Sequence, residues 1–442
     1  MEHLSLTATM RWRVRQALAS PAVRSISMLA GGNLFAMAIA IVGALVQARF
    51  VSPDDLGYFN QFGIASGYVF FLGLGVWDSL HRRYPYYIGK GQRDRAIEIA
   101  EIAQGWYVAV AILSATVFAA LSIWTLAQGN WRDSLGWGVQ VVVIASTFYG
   151  GYLSATYRTG HDFIDLAKGS LLSSLVGLAL LPFYLIWPYV TMAMRTGCSS
   201  LASLIYLHIH RPLKIHWRFN WRKWFDLVKE GVPMFIAGYG STVGWSLLIT
   251  TLVWKELGVV ALGFSTMAFM ILQVANHVPQ AIVAVYTPRI IEEFGRTESV
   301  DAGLRICRKP LLWSMPGMLL LVVGGAIGLQ LFVPVLMPKY VEAIPAMGLA
   351  LLYLPFTMLE MPYVLLVATG DTLAQNIVTF VGLGIFAALG LAAIAAGLGL
   401  NGVIGASLLG RLARLLMIYG YINRARHQHV HIKVTPEPVE IS

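Results

Sequence analysis

Three arginines stand inside long apolar runs of this sequence: Arg195 in YVTMAMRTGCSSLASLIYL, and Arg411 and Arg414 in GASLLGRLARLLMIYGY. A guanidinium that faces hydrocarbon costs several kcal/mol, so each of these must turn toward a packed interior or a wet cavity. There its planar fork of donors suits a carboxylate or a phosphate. Arg411 and Arg414 lie three residues apart and share a helix face. Arg195 has no basic neighbour, which makes it the first candidate for holding an anion, with Arg411 its competitor. The plainer readings are a structural ion pair for Arg195 and an interfacial position for the other two. Two acids complement them. Glu360 lies in LPFTMLEMPYVLL between Pro355 and Pro362, where two missing backbone donors should break the helical ladder. It either binds a cation or is neutral or paired with an in-span arginine. Asp78 precedes Arg82 by four residues, the spacing of a local ion pair. Gln273, Asn276, His277 and Gln280 recur at helical spacing and form one polar stripe. Asn33 is a further amide within an apolar run. Such groups line a wet cavity or bond neighbouring helices. Tyr149, Tyr152 and Trp245 could stack on a sugar or simply pack.

The elements that carry these residues follow from composition. The chain has 442 residues, 57% of them hydrophobic and 12% charged. Soluble domains carry about 25% charged residues, so this chain has too little charge to cover a water-facing surface. Apolar runs of about 20 residues cross a hydrocarbon layer about 30 Å thick as helices, because lipid offers the backbone no partners. Twelve such spans are expected, at 25–48, 58–80, 104–127, 135–156, 165–187, 189–208, 232–253, 262–285, 311–333, 345–368, 375–397 and 401–422. The fold class is therefore an all-α polytopic membrane protein. The first run is preceded by about 24 polar or mixed residues and lacks a small-residue cleavage site, unlike a signal peptide. Cys198 and Cys307 form no disulfide or zinc pattern; the first falls in a span and the second in a loop. No phosphate loop or clustered metal-ligand motif is present, so no cofactor or metal is expected.

Charge sets the orientation. Of the 32 Lys and Arg, 25 fall on one side of this topology and four (Arg49, Arg132, Lys255, Lys339) on the other, with Arg195, Arg411 and Arg414 inside spans. Positively charged loops stay in the cytoplasm, so both termini are expected there. The same asymmetry accounts for the net charge of +10 without a nucleic-acid partner. Residues 1–24 and 425–442 are read as cytoplasmic tails. Residues 211–230 interleave aromatic and basic residues and are read as an amphipathic linker at the lipid surface.

Shifted by 206 residues, the sequence falls into phase with itself. Leu56-Gly57-Tyr58 meets Leu262-Gly263-Phe264, Gly32 meets Gly238, Gly89 meets Gly295 and Ala96 meets Ala302. Six spans separate the copies, so the repeat is parallel, with an N-lobe at 25–210 and a C-lobe at 231–424. Transporters built this way bind substrate between the halves near the midplane. Arg83 meets Arg289 at the cytoplasmic ends of spans 2 and 8, where they either receive an anionic group or anchor the spans.

Several segments resemble polysaccharide-type flippases in order along the chain. They are QARFVSPDDLGYFNQFG after span 1, RRYPYYIGKGQRDRA after span 2, VKEGVPMFIAGYG opening span 7, ELGVVALGFSTMAFMI into span 8, TPRIIEEFG after it, and MPKYVEAIPAMGLALLYLPF with VLLVATGDT around span 10. Over residues 25–425 the chain resembles the polysaccharide transporter branch (Wzx-like O-antigen and exopolysaccharide flippases) of the MOP superfamily. That resemblance implies two six-helix lobes around a central cavity. It also implies translocation of an undecaprenyl-diphosphate-linked oligosaccharide across the bacterial inner membrane by alternating access, not catalysis. On this reading Arg195, Arg411, Arg83, Arg289, Asn33, Gln273 and Asn276 contact substrate, and Glu360 and Asp78 couple ions. The partners are the lipid-linked glycan, membrane lipids, and a glycan polymerase with its export machinery. The alternatives are a cation-coupled multidrug exporter of the same superfamily, which would favour acids and aromatics over a cationic lining, and a membrane glycan polymerase or ligase, for which the outward loops are too short.

The topology predicts that a cysteine placed at 129–133, with Cys198 and Cys307 changed to Ala, is labelled by an impermeant thiol reagent in intact cells. Labelling only after lysis would refute it.

Overall fold

A computed structural model describes residues 38–39, 41–159, 162–216, 219–297, 299–369 and 371–427. Among them the chain is helical throughout its apolar runs, as the absence of backbone partners in lipid requires. In order the helices are α1 (Ile41–Phe50), α2 (Pro53–Val69), α3 (Val76–Gly89), α4 (Arg93–Ala127), α5 (Trp131–Arg158), α6 (Phe163–Leu185), α7 (Pro188–Ile209), α8 (Trp221–Tyr239), α9 (Trp245–Leu252), α10 (Gly258–Thr297), α11 (Val300–Leu336), α12 (Pro338–Leu359), α13 (Tyr363–Ala368), α14 (Thr372–Ala395) and α15 (Gly399–His427). Eight helical stretches among the described residues are long and apolar enough to cross a membrane, or nine with the pair α2–α3, bent by 46°, taken as one span. The chain is an all-α polytopic membrane protein. Each of the twelve expected spans is mostly helical where it is described, with breaks at Leu74–Gly75, Ile186–Trp187 and Glu360–Pro362; the start of the first, with Asn33, lies outside the described residues.

Three local departures from the expected pattern have physical causes. Span 2 bends where Leu74 and Gly75 both take positive φ, at 48° and 69°. A side chain on Gly75 would meet the backbone of Gly231 at 2.3 Å, so the bend is also a close helix crossing. The connection after span 8 shrinks to two residues, because α10 runs to Thr297 and Ser299 caps α11 by accepting from the Ala302 N–H. Cys307, expected in a loop, is therefore buried within α11. The 211–230 linker is helical only from Trp221; Asn220 accepts from the backbone N–H of Arg222 and Lys223 and starts that helix.

By its packing the chain divides into two units. One takes in the chain up to Ala44 and Leu80–Trp224; the other takes in Leu45–Ser79 and the chain from Phe225. In the first, the Lys223 ammonium bonds both carboxylate oxygens of Glu98 at 2.6 Å, and Trp224 packs on Trp106 with ring centroids 4.7 Å apart. The start of α8 is thereby fixed to α4.

In the second unit, α2 packs along α10, which groups residues 45–79 there. The contact is reciprocal. A Cβ on Gly57 would fall 1.8 Å from the Val259 carbonyl oxygen, and one on Gly263 would fall 1.9 Å from the Pro53 carbonyl oxygen. Positions 53 and 259, and 57 and 263, are each one repeat apart. Asn60 and Thr266, also one repeat apart, face each other at 3.4 Å. A two-fold axis between α2 and α10 produces this pattern, and small residues let the backbones close. Two of the four cations on the opposite side of the topology are engaged here as well. Arg49 donates to the Val335 carbonyl near the end of α11 at 3.0 Å, and Lys339 donates to the Phe50 carbonyl at the end of α1 at 2.7 Å. Each answers a carbonyl that its helix leaves unpaired.

Gly57→Val should force α2 off α10 and cost about 1–3 kcal/mol by overpacking. A lowered melting temperature in detergent would register it. Gly63→Ala on the same helix has nothing within 4 Å and should leave the melting temperature unchanged.

Candidate functional site

The second unit brings Glu360, Arg411 and Arg414 together at one place. On α15, Ser407, Arg411 and Arg414 fall at i, i+4 and i+7, on one face. They meet α12, whose last two turns begin at Tyr353 and are followed by Glu360. The ladder breaks there at Pro362: α12 stops at Leu359 and the chain restarts as α13 at Tyr363, whereas Pro355 lies within the last two turns of α12, just after an irregular turn at Leu352. Glu360 is thus held at a helix end rather than within a helix.

Arg414 Nη1 lies 2.5 Å from Glu360 Oε2, and Arg411 Nη1 lies 3.9 Å from Oε1. The side chains are 6% exposed for Arg414, 13% for Glu360 and 20% for Arg411. Arg414 is therefore the tight partner and Arg411 the loose one. The Arg411 guanidinium carbon stands 4.7 Å from the Tyr353 ring centroid and 5.6 Å from that of Trp245; that of Arg414 stands 4.9 Å from Tyr363. Ring faces attract desolvated cations and so offset part of the burial cost. The Tyr353 hydroxyl bonds Ser407 Oγ, which in turn donates to the Ile404 carbonyl at 2.8 Å.

An apolar floor holds these groups. Trp245 stacks on Phe386 with centroids 5.5 Å apart, and both belong to a buried cluster with Ile249, Leu262 and Val403. Gly382 and Gly410 let α14 and α15 approach: a Cβ on Gly410 would lie 3.0 Å from the Gly382 carbonyl oxygen, and one on Gly382 would lie 3.1 Å from Arg414 Cβ. Two cations and one anion leave the cluster with a formal charge of +1 if all three are ionised. Among the described residues Arg411 Nε, Arg414 Nε and Glu360 Oε1 have no hydrogen-bond partner. The arrangement can therefore present a fixed guanidinium with spare donors to an anionic group.

The other sequence candidates are distributed as follows. Arg195 lies on α7 in the first unit. Its guanidinium fills the space that Gly43 leaves, since a Cβ there would sit 2.2 Å from Nη2, and it interacts with the Tyr184 hydroxyl. In the polar stripe on α10, Asn276 accepts from Thr357 Oγ1 at 3.0 Å, which makes it a bond between helices. Gln273, His277 and Gln280 are exposed. Arg83 is 5% exposed, whereas its repeat mate Arg289 is exposed and lies over the Tyr286 ring at 5.4 Å. Asp78 opens α3, half-buried, and among the described residues it forms no ion pair. Asn33 lies outside the described residues. Of the alternatives open for Glu360 in the sequence, the structure shows pairing with in-span arginines, Arg414 closely and Arg411 loosely. Sequence reasoning did not find Tyr353 and Ser407. Their seven- and four-residue offsets from Glu360 and Arg411 are the signal that could have pointed to them.

Comparison with solved structures then places the architecture. An inward-facing multidrug resistance MATE family transporter of the MOP superfamily matches with a TM-score of 0.63 at 14% identity, over 88% of this chain and 94% of that one. The fold is that of the MATE transporters. The lipid II flippase MurJ in an inward closed conformation shares it, with a TM-score of 0.61 at 12% identity over 89% of this chain and 87% of that one. An outward-facing MATE structure matches at 0.60 and 15% over 93% of this chain and 97% of that one. No protein-family model and no curated protein matches the sequence.

Glu360→Gln removes the one anion of the cluster and leaves two guanidinia without it. Breaking a buried pair costs about 3–5 kcal/mol, so a clear fall in melting temperature in detergent is expected. Glu360→Gln combined with Arg414→Met should recover part of the loss. Full stability of the single variant would show that the pair does not hold the fold.

Proposed function

We propose that this chain moves an undecaprenyl-diphosphate-linked oligosaccharide across the bacterial inner membrane by alternating access, with both termini in the cytoplasm. The observation that carries this reading is the excess of cations at the α12–α15 cluster. Glu360 is taken up by Arg414, which leaves the guanidinium of Arg411 for a diphosphate. An anionic head group would lose its water in an apolar layer and gain charge-assisted hydrogen bonds in exchange. Arg195 is the corresponding cation of the first unit. MurJ, which shares the fold, is described as a flippase for lipid II; its likeness supports a lipid-linked substrate. A glycan polymerase and export machinery would act on the product side.

The likeness to MATE transporters speaks equally for multidrug export. Tyr353 and Trp245 beside an acid would suit a cationic drug, but the carboxylate of that acid is already matched by Arg414. We therefore place the anionic substrate first. Its Glu360 would keep the cluster assembled when substrate is absent, in place of a direct ion-coupling role.

Arg411→Ala should accumulate at near wild-type levels and lose export by tenfold or more, read as lipid-linked glycan retained in the cytoplasmic leaflet of cells. Arg411→Lys should recover only part, since an ammonium keeps the charge and loses the fork. Arg195→Ala tests the first unit in the same way. Normal glycan export by Arg411→Ala at wild-type protein level, or increased efflux of a cationic dye by that variant, would favour the multidrug reading.

A further inference from the structure

Helix α11 carries more charge than its own packing uses. Arg305, Arg308 and Lys309 are all exposed, and among the described residues none of them forms an ion pair or hydrogen bond. Their neighbours do differ: Arg296 is bonded to Glu293, and Arg426 to Asp301. The three free bases, at i, i+3 and i+4, share one face with exposed Leu312 at i+7, and Trp313 borders it. Trp313 is 78% exposed.

The rise of the helix fixes where this face lies. From Trp313 to Leu336 α11 extends about 35 Å, enough to cross a hydrocarbon layer about 30 Å thick with modest tilt. Tryptophan gathers at the boundary between that layer and the head groups. Lys309 then stands about 6 Å beyond the boundary and Arg305 about 12 Å beyond it. Helical side chains lean toward the N-terminus, which on α11 is the direction of water, so the three bases reach into and across the head-group layer.

We propose that this face of α11 is a docking surface for acidic phospholipid of the leaflet it meets. The lipid phosphate would lie among Arg305, Arg308 and Lys309, with its acyl chains along Leu312 and Trp313. A bilayer is the one phase in which an apolar stripe and a row of unpaired cations are both satisfied on one helix face at this spacing. Zwitterionic lipid offers the same chains without the net charge. The surface stands on the exposed side of α11 and does not depend on what the protein transports.

The test uses the full chain reconstituted in vesicles of phosphatidylcholine and phosphatidylglycerol in equal parts, then released into mild detergent. Native mass spectrometry reads the lipids that remain bound. The wild-type chain should retain phosphatidylglycerol in preference. Arg305→Gln, Arg308→Gln and Lys309→Gln should each lower that retention about fivefold, the ratio given by about 1 kcal/mol for each base near an anionic surface. The triple variant should lose the preference. Arg296→Gln, whose charge is spent on Glu293, should leave the preference intact. An unchanged preference in the triple variant at unchanged melting temperature would overturn the proposal. So would equal loss in Arg296→Gln, which would mean that net charge alone selects the lipid. The single variants carry the same test should the triple variant fail to accumulate.

Discussion

A guanidinium in hydrocarbon must be answered by another group, and at the α12–α15 cluster that requirement organises several helices at once. Arg414 needs a carboxylate within reach, so the chain must present Glu360 from a neighbouring span. A carboxylate at the end of a helix can be turned toward its partner more freely than one within a regular turn. Pro362 stands at that end. Ring faces from Tyr353, Tyr363 and Trp245 close around the two cations. Trp245 in turn rests on Phe386, which needs α14 against α15, and that approach needs the two glycines at 382 and 410. The chain of dependence therefore runs from one ion pair to the crossing of two transmembrane helices.

Glycine plays the same part at the α2–α10 crossing, though no charge is involved. Hydrocarbon gives helices little reason to associate, so close backbone approach has to supply the attraction. Residues 57 and 263 each meet the backbone of the other's helix, at positions that differ by one repeat. A duplicated helix that pairs with its own copy needs only one small residue per copy to make both halves of the contact. The bend at 74–75 fits the same account, because the positive φ values there bring Gly75 onto Gly231.

Much of the fold was legible in the sequence, because the signals involved are local. Length and hydropathy located the apolar helices, and Pro362 marked the break beside Glu360. Partnership across the bundle was not legible. Glu360 and Arg414 are 54 residues apart, and periodicity says which face a residue occupies without saying which face it meets. For the same reason Arg83 and Arg289 look equivalent in the sequence, whereas one is buried and the other exposed. The polar stripe on α10 is visible in the sequence as helical spacing. Its division into one bonded amide and three exposed groups depends on Thr357, which a single-helix reading does not contain. Of the candidate site, the residue types and the option of an acid–arginine pair were therefore visible, and the choice of Arg414 as partner was not.

The unequal pairing of the two arginines follows from the capacity of one carboxylate. Its two oxygens can receive a guanidinium fork side by side, but two guanidinia on one carboxylate repel each other at short range. Arg414 is the more buried, so leaving it unanswered would be the costlier choice, and it takes the short contact. Arg411 is held at 3.9 Å and leans on the Tyr353 and Trp245 rings. A ring face attracts charge without consuming hydrogen-bond donors, so Arg411 can be held there with donors to spare; on the proposed reading these take an anion. An arriving phosphate would meet a positive group already oriented and already desolvated. Much of the cost of bringing that group out of water would have been met on folding, and only the phosphate would still have to shed its shell.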